Sequence, residues 1–255
     1  MSNAKDIRSQ IKSIKSTQKI TKAMQMVAAS KMRRSQDAML EGRPYVDNIL
    51  RVIAHLLKTR AEVAHPFFSE SDKPVKKVGY IVVSTDRGLC GGLNINLFKK
   101  LLAHVEEQSK QGRELQFSVF GRKGIAFVNR INGNIITTVD AYGDNPALRD
   151  LIGGIGAMID AYRNGELDRV YLVGNRFVNT MTQEPMIMQF LPATIISDDH
   201  YAPDHAWTYE YEPDAEQILD KLAVRYLESL VKQSVAENIA CEMSARMIAM
   251  KNASD

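Results

Sequence analysis

The chain has 255 residues, 45% hydrophobic and 25% charged, the proportions of a globular protein with a core, which excludes a disordered chain. Its net charge of +3 conceals an asymmetry: residues 1–60 carry 13 Lys and Arg against 4 Asp and Glu, about +9, leaving about −6 on the remainder. Two distant cysteines, Cys90 and Cys241, exclude a disulfide framework and a cysteine zinc site, and no apolar run reaches membrane-spanning length.

Residues 2–41 contain neither glycine nor proline and predict one long basic helix. Asn3 reads as its N-cap with Asp6 in the first turn, and Ile7, Ile11 and Ile14 follow at helical spacing. Continued at that spacing, the stripe becomes Gln18, Thr21, Gln25, Ala28, Met32, Ser35 and Met39, a small, polar and Met-rich seam that pairs closely but grips weakly. The run to Glu41 spans roughly 55–60 Å, and about 80 Å if it passes through a kink at Gly42 and Pro44 to Lys58. No domain of this size is that wide, so residues 1–58 are expected to form a shaft helix that leaves the body. Pro66, Ser69, Ser71 and Pro74 mark residues 59–76 as a connector.

From residue 77 the pattern changes. Lys77–Ser84 (KVGYIVVS) reads as a strand, TDRGLCGGLN as a glycine turn, and Leu97, Leu101, Leu102 and Val105 as a helix. Leu115–Gly121 is a second strand with a helix behind it, and Ile135–Val139 a third. Asn145-Pro146 is expected to cap a helix to about Tyr162, and 168–175 with 185–196 form a long hairpin around Thr182-Gln183-Glu184. Alternating strands and helices over residues 77–200 predict a Rossmann-like α/β domain, mostly parallel with an antiparallel edge.

Residues 201–212 form an irregular, aromatic and acidic loop containing Tyr201, Trp207, Tyr209, Tyr211 and Glu212. Pro213 then sits at an expected N1 position of a last helix, residues 213–255. Its stripe, Val224, Leu227, Val231, Ser234, Asn238, Cys241, Ala245 and Ile248, turns from apolar to small and polar, like that of the first helix. The expected fold is therefore an α/β protein: an antiparallel coiled coil of N- and C-terminal helices plus the Rossmann-like domain.

Gly88, Gly91 and Gly92 stand where phosphate-binding loops occur, but their spacing matches neither G-x-G-x-x-G nor G-x-x-x-x-G-K-[ST], so they read as a tight structural turn. Asp86 and Arg87 then cap that turn or contact a protein. The five histidines show no metal spacing and no Ser/His/Asp set stands out. Lys31, Arg33 and Arg34, preceded by Lys19 and Lys22, form the densest basic knot. They are either a solvated face or a surface for an acidic partner, protein or nucleic acid, and the absence of interleaved aromatics weakens the nucleic-acid version. Composition and pattern alone thus leave a Rossmann-type nucleotide-binding enzyme and a nucleic-acid-binding coiled-coil protein as alternatives.

Four segments carry a resemblance: IRSQIKSIKSTQKITKAMQMVAASKMRRSQ (7–36), STDRGLCGGLNINLF (84–98), YEPD (211–214) and ENIACEMSARMIAMKNASD (237–255). Together, and in collinear order over essentially the whole chain, they closely resemble the γ-subunit family of bacterial F-type ATP synthases. The resemblance implies a non-catalytic central-stalk rotor without a cofactor, coupling ion-driven rotation of the c-ring to conformational change at β. Its implied partners are the α and β subunits of the catalytic ring, the ε subunit and the c-ring, with no nucleic acid. It implies that Met24, Lys31, Arg33, Arg34 and Arg246 meet acidic loops of β, that Tyr209, Tyr211 and Glu212 contact ε and the c-ring, and that the protein is peripheral at the cytoplasmic face of the bacterial inner membrane. The family's last helix continues past the segment ending at Asp255, so a truncated shaft helix is expected. The plant-type insertion with its redox-switched cysteines is absent, and thiol control of rotation is not expected.

Overall fold

In the computed structural model, described over residues 4–59, 65–70, 73–194 and 214–255, helix α1 (Ala4–Thr59) runs unbroken for 56 residues. That is about 84 Å of helix. Pro44 lies inside it and cannot donate to the carbonyl of Leu40. One residue earlier, Gln233 Nε2 donates to the Met39 carbonyl at 2.9 Å, and Gly42 makes room for it, since a Cβ there would sit 2.3 Å from Gln233 Oε1. The two helix-breaking residues thus mark a point of contact with the last helix, α5 (Ala215–Ser254), rather than the end of α1. Asn3, the expected cap, lies outside the described residues.

The two terminal helices run antiparallel. Gln18 Nε2 donates to the Ser254 carbonyl at 2.8 Å and the Thr21 hydroxyl meets that of Ser254 at 2.6 Å, so the lower part of the α1 stripe does face α5. Ala28, Ser35 and Met39 are buried along it, followed by Ile49, Ile53 and Leu56. Ile7, Ile11 and Ile14 are exposed because the described α5 reaches only the level of Gln18 and Thr21.

The sheet contains β1 (Lys77–Val83), β2 (Glu114–Phe120), β3 (Asn134–Val139), β4 (Arg169–Phe177) and β5 (Gln183–Leu191), in the order β3-β2-β1-β4-β5. Only β5 is antiparallel, as the pattern predicts. Strand alternation divides the core. Val78, Tyr80 and Val82 of β1 point into a layer with Leu97 and Leu101 of α2 (Leu93–Lys110) and Val128 of α3 (Arg122–Arg130). Ile81 and Val83 point the other way, onto Leu151 and Ile155 of α4 (Leu148–Arg163), Ile53 of α1 and Leu227 of α5. The part of the shaft around Ile49, Ile53 and Leu56 of α1 and Leu219 to Met243 of α5 is therefore built into the domain core.

Three boundaries differ from expectation. Helix α4 starts at Leu148 rather than at Asn145-Pro146, because Asp150 Oδ2 reaches back to accept from Ala147 N at 2.9 Å. The hairpin turn falls at 178–182, where Asn179 Oδ1 accepts from Met181 N and Thr182 N, both at 2.9 Å, so Gln183 already belongs to β5, which ends at Leu191. Helix α5 starts at Ala215 and is capped by Asp214, whose carboxylate accepts from Glu216 N at 2.7 Å; Pro213, the expected N1 residue, lies outside the described residues.

At the opposite end from the glycine turn, buried His65 ties the connector to α4 and α5. Its Nδ1 accepts from Phe67 N at 3.2 Å, so the ring proton sits on Nε2, which faces Asp220 Oδ1 at 3.5 Å, and Asp220 also accepts from Arg163 at 3.0 Å. Burial lowers the His65 pKa below its ordinary value, against the raising effect of Asp220. The contribution is present above the unfolded-state value and is lost as pH falls through the lowered one, because the unfolded chain takes up the proton first. The stability lost between about pH 7.5 and about pH 5.5, measured by urea unfolding, is expected to be smaller in His65→Gln than in the unaltered protein.

Candidate functional site

Strand order reverses between β1 and β4, and in an open α/β sheet a ligand sits outside the carboxyl ends of the strands at that point. Here that crevice is filled by α5. Gly174 of β4 lies against Ser234, where a Cβ would come within 2.9 Å of the hydroxyl. Asn175 Nδ2 donates to Asn238 Oδ1 at 2.8 Å, the Cys241 thiol faces the Asn175 carbonyl at 3.6 Å, and Glu237 Oε1 accepts from Phe177 N at 2.9 Å. Cys90, Leu93, Cys241, Phe177 and Ala245 close the contact as a small apolar cluster. Burial raises the pKa of both thiols, so both stay protonated and inert at neutral pH.

The glycine turn is occupied in the same way. Arg246 donates to the Gly88 carbonyl through Nη2 at 3.0 Å and Nε at 3.4 Å, and Gly91, at φ +58°, faces Ala249. Asp86 caps the neighbouring loops, its Oδ1 accepting from Arg122 N at 3.1 Å and Ala141 N at 3.2 Å. Of these glycines only Gly91 faces α5, while a Cβ at Gly88 would meet Lys123 at 3.7 Å and one at Gly92 would meet Asn96 at 3.4 Å.

Charge concentrates around this junction. The Arg246 guanidinium and the Glu242 carboxylate meet at 2.5 Å with side chains only 11% and 9% exposed. Burial pushes the Glu242 carboxyl up, Arg246 opposes that shift, and Asp144 and Asp86 add to it. Lys31 of α1 pairs with Asp144, in the loop before α4. Tyr142 in the same loop donates to the Ser84 carbonyl at 2.6 Å. Beside Asp144 an open groove of about 570 Å³ runs between α1 and α5, its rims carrying Glu41 on one helix and Arg225 and Lys232 on the other.

The sequence-derived candidates thus divide. Lys31 and Arg246 are drawn into one junction between shaft and domain, with Met24 half-buried on α1 below it. Arg33 and Arg34 point outward and form no ion pair among the described residues. Tyr209, Tyr211 and Glu212 lie outside the described residues. Sequence reasoning missed Glu242, although its i,i+4 spacing from Arg246 was legible, and missed Asp144 and Asn175, which only the fold brings to the shaft. Among the described residues, no group of three or more His, Cys, Asp or Glu could hold a metal ion, and no helix is long and apolar enough to cross a membrane.

A family model described as ATP synthase matches residues 3–255. The ATP synthase gamma chain of Dichelobacter nodosus is 58% identical over 255 residues, all of this chain and 88% of that protein, and that of Acinetobacter baylyi is 54% identical over 256 residues with the same coverage. The fold recurs in the central stalk/c-ring structure of Tetrahymena thermophila mitochondrial ATP synthase, with TM-score 0.68, 23% identity, and 92% of this chain matched to 100% of that one. It recurs also in the rotor of Euglena gracilis mitochondrial ATP synthase, with TM-score 0.56, 17% identity, and 96% and 88% covered.

Proposed function

Because the chain belongs to the ATP synthase gamma-chain family, we propose that it acts as a non-catalytic rotor whose outward shaft cations Arg33 and Arg34 meet acidic loops of β. As a central-stalk subunit it couples rotation of the c-ring to conformational change at the catalytic β subunits, with α, β, ε and the c-ring as partners. The observation that carries the non-catalytic reading is the filling of the sheet's ligand crevice by α5, which leaves the Rossmann-like body no room for a nucleotide at its usual place. The same contacts make shaft and domain one packed unit, so torque on the domain reaches both helices.

In this reading Lys31 and Arg246 act indirectly. Lys31 braces α1 against the Asp144 loop, and Arg246 fixes the turn that carries exposed Arg87. Met24 is half-buried on the same helix, about two turns before Lys31. Tyr209, Tyr211 and Glu212 serve the ε and c-ring end, and the protein is held peripherally at the cytoplasmic face of the bacterial inner membrane.

Reconstitution with α, β and ε onto vesicles that carry the c-ring and the rest of the membrane sector tests the assignment. The unaltered chain is expected to give an ATP-hydrolysing complex that pumps ions. Arg33→Glu/Arg34→Glu is expected to assemble, to melt within about 0.5 kcal/mol of the parent because both residues are exposed, and to pump several-fold fewer ions per ATP. Unchanged pumping would remove these arginines from the contact, and failure of the unaltered chain to join the complex would sink the rotor assignment itself.

A further inference from the structure

Where α5 crosses β4, a pair of amide side chains lies buried between helix and sheet. Asn175 is 2% exposed and Asn238 0%, and their mutual bond runs from Asn175 Nδ2 to Asn238 Oδ1 at 2.8 Å. Asn175 Oδ1 and Asn238 Nδ2 make no hydrogen bond among the described residues. Their neighbours are apolar and buried as deeply, Val173 on the strand and Val235 and Ile239 on the helix. Two amides withdrawn from water for one hydrogen bond are a poor way to hold a helix on a sheet, and an apolar pair of the same size holds it at least as tightly.

What the amides supply instead is register. Apolar side chains pack acceptably at several neighbouring settings of a helix, whereas an amide pair is satisfied in one. A shift of α5 by one residue, about 1.5 Å along its axis and about 100° around it, would leave both amides buried without a partner. The residues around them fix the same point. Gly174 leaves room for the Ser234 hydroxyl, Glu237 Oε1 accepts from Phe177 N at 2.9 Å, and the same oxygen faces Arg43 Nη2 of α1 at 3.6 Å. Strand β4 and both shaft helices are thus referred to one place, from which α5 runs on for about 24 Å to Ser254.

We propose that Asn175 and Asn238 are positioning residues for rotary coupling: their bond holds the shaft on the domain in a single angular register, so that rotation driven at the domain reaches the ring without slip. The inference rests on the rotor assignment above. It concerns a joint inside the chain rather than a contact with another subunit, since both amides are closed off from solvent.

The test replaces both amides with leucine, a side chain of similar size, in the complex with α, β, ε and the membrane sector on vesicles. Asn175→Leu/Asn238→Leu is expected to melt at or above the parent temperature, to hydrolyse ATP, and to pump several-fold fewer ions per ATP. In single-molecule rotation, a probe on the domain should pause with a wider angular spread. Val235→Ala, which thins the same helix but keeps the amide pair, is expected to lower the melting temperature and leave pumping and spread at the parent values. Parental pumping or parental spread in the leucine variant would overturn the inference. So would a melting temperature well below the parent, which would make the pair a stability element, or an equal loss of coupling in Val235→Ala. Failure of the unaltered chain to join the complex would instead overturn the rotor assignment.

Discussion

Replacing Arg246 with alanine is expected to lower the free energy of unfolding by about 3 kcal/mol. The loss comes from what it leaves behind. Glu242 would remain buried without its partner, still facing the charges of Asp86 and Asp144, and the Gly88 carbonyl would lose two donors. Urea unfolding near neutral pH measures the size of the effect, and pH identifies its cause. With Arg246 gone, the Glu242 pKa rises further above its unfolded value, so the penalty is largest at neutral pH and is relieved as pH falls and the carboxyl takes up a proton. The double variant Arg246→Ala/Glu242→Gln is expected to recover part of the loss, because the buried charge is removed with its partner. No rescue, or a penalty that grows on acidification, would mean that Arg246 acts through packing alone.

Gly121→Ala is expected to be at least as damaging, costing about 3 kcal/mol or more and lowering Tm by roughly 10 °C. Gly121 adopts φ +93° and ψ 137° at the end of β2, a region open essentially to glycine. A Cβ there would lie 2.4 Å from the Ser84 carbonyl oxygen and 2.8 Å from its carbon, and backbone cannot rotate out of the way as a side chain could. Ser84 is also the knot of this corner. Its amide donates to the Phe120 carbonyl at 2.8 Å, its hydroxyl accepts from Gly124 N at 2.8 Å, and its carbonyl accepts from Tyr142. Displacing Ser84 therefore loosens the turn that meets Arg246, and the damage should appear as a lower yield of folded chain before any effect on coupling. By contrast, Gly143→Ala meets nothing within 4 Å and carries only the strain of φ +75°, so it should cost distinctly less. Equal effects of the two substitutions in thermal melts would rule out the clash as the cause.

Such effects depend on where α5 lies, and the stripe read along α5 was right about spacing and wrong about partner. Ser234, Asn238, Cys241 and Ala245 recur at helical intervals that predict a coiled-coil seam, yet they face β4 and the glycine turn. The face toward α1 includes Gln233 and Ser254, which reach Met39, Gln18 and Thr21. A helix held between another helix and a sheet edge is buried on two sides, and periodicity reports that a side is buried without saying by what. The polar character of the stripe then has a cause. Asn175 and Asn238 bond each other across a helix–sheet contact, leaving Asn175 Oδ1 and Asn238 Nδ2 without a hydrogen bond among the described residues, an arrangement that positions the shaft more than it stabilises it.

What the sequence determined by itself was everything set by local pattern. The first two thirds of α1 follow from a run without glycine or proline and its continuation from the apolar spacing resumed at Ile49, Ile53 and Leu56, the α/β alternation from the change of period after residue 77, and the single antiparallel edge from the hairpin that ends the domain. The outward basic pair Arg33 and Arg34 was legible because exposed charge needs no partner. Tertiary structure alone decided which cations are not free, since Lys31 meets Asp144 113 residues away and Arg246 meets Gly88 158 residues away. It also decided that the crevice of a Rossmann-like sheet holds a helix of the same chain. Pairings at such separations depend on the packed core, which brings distant residues within hydrogen-bond reach and makes an unpaired buried charge too costly to leave.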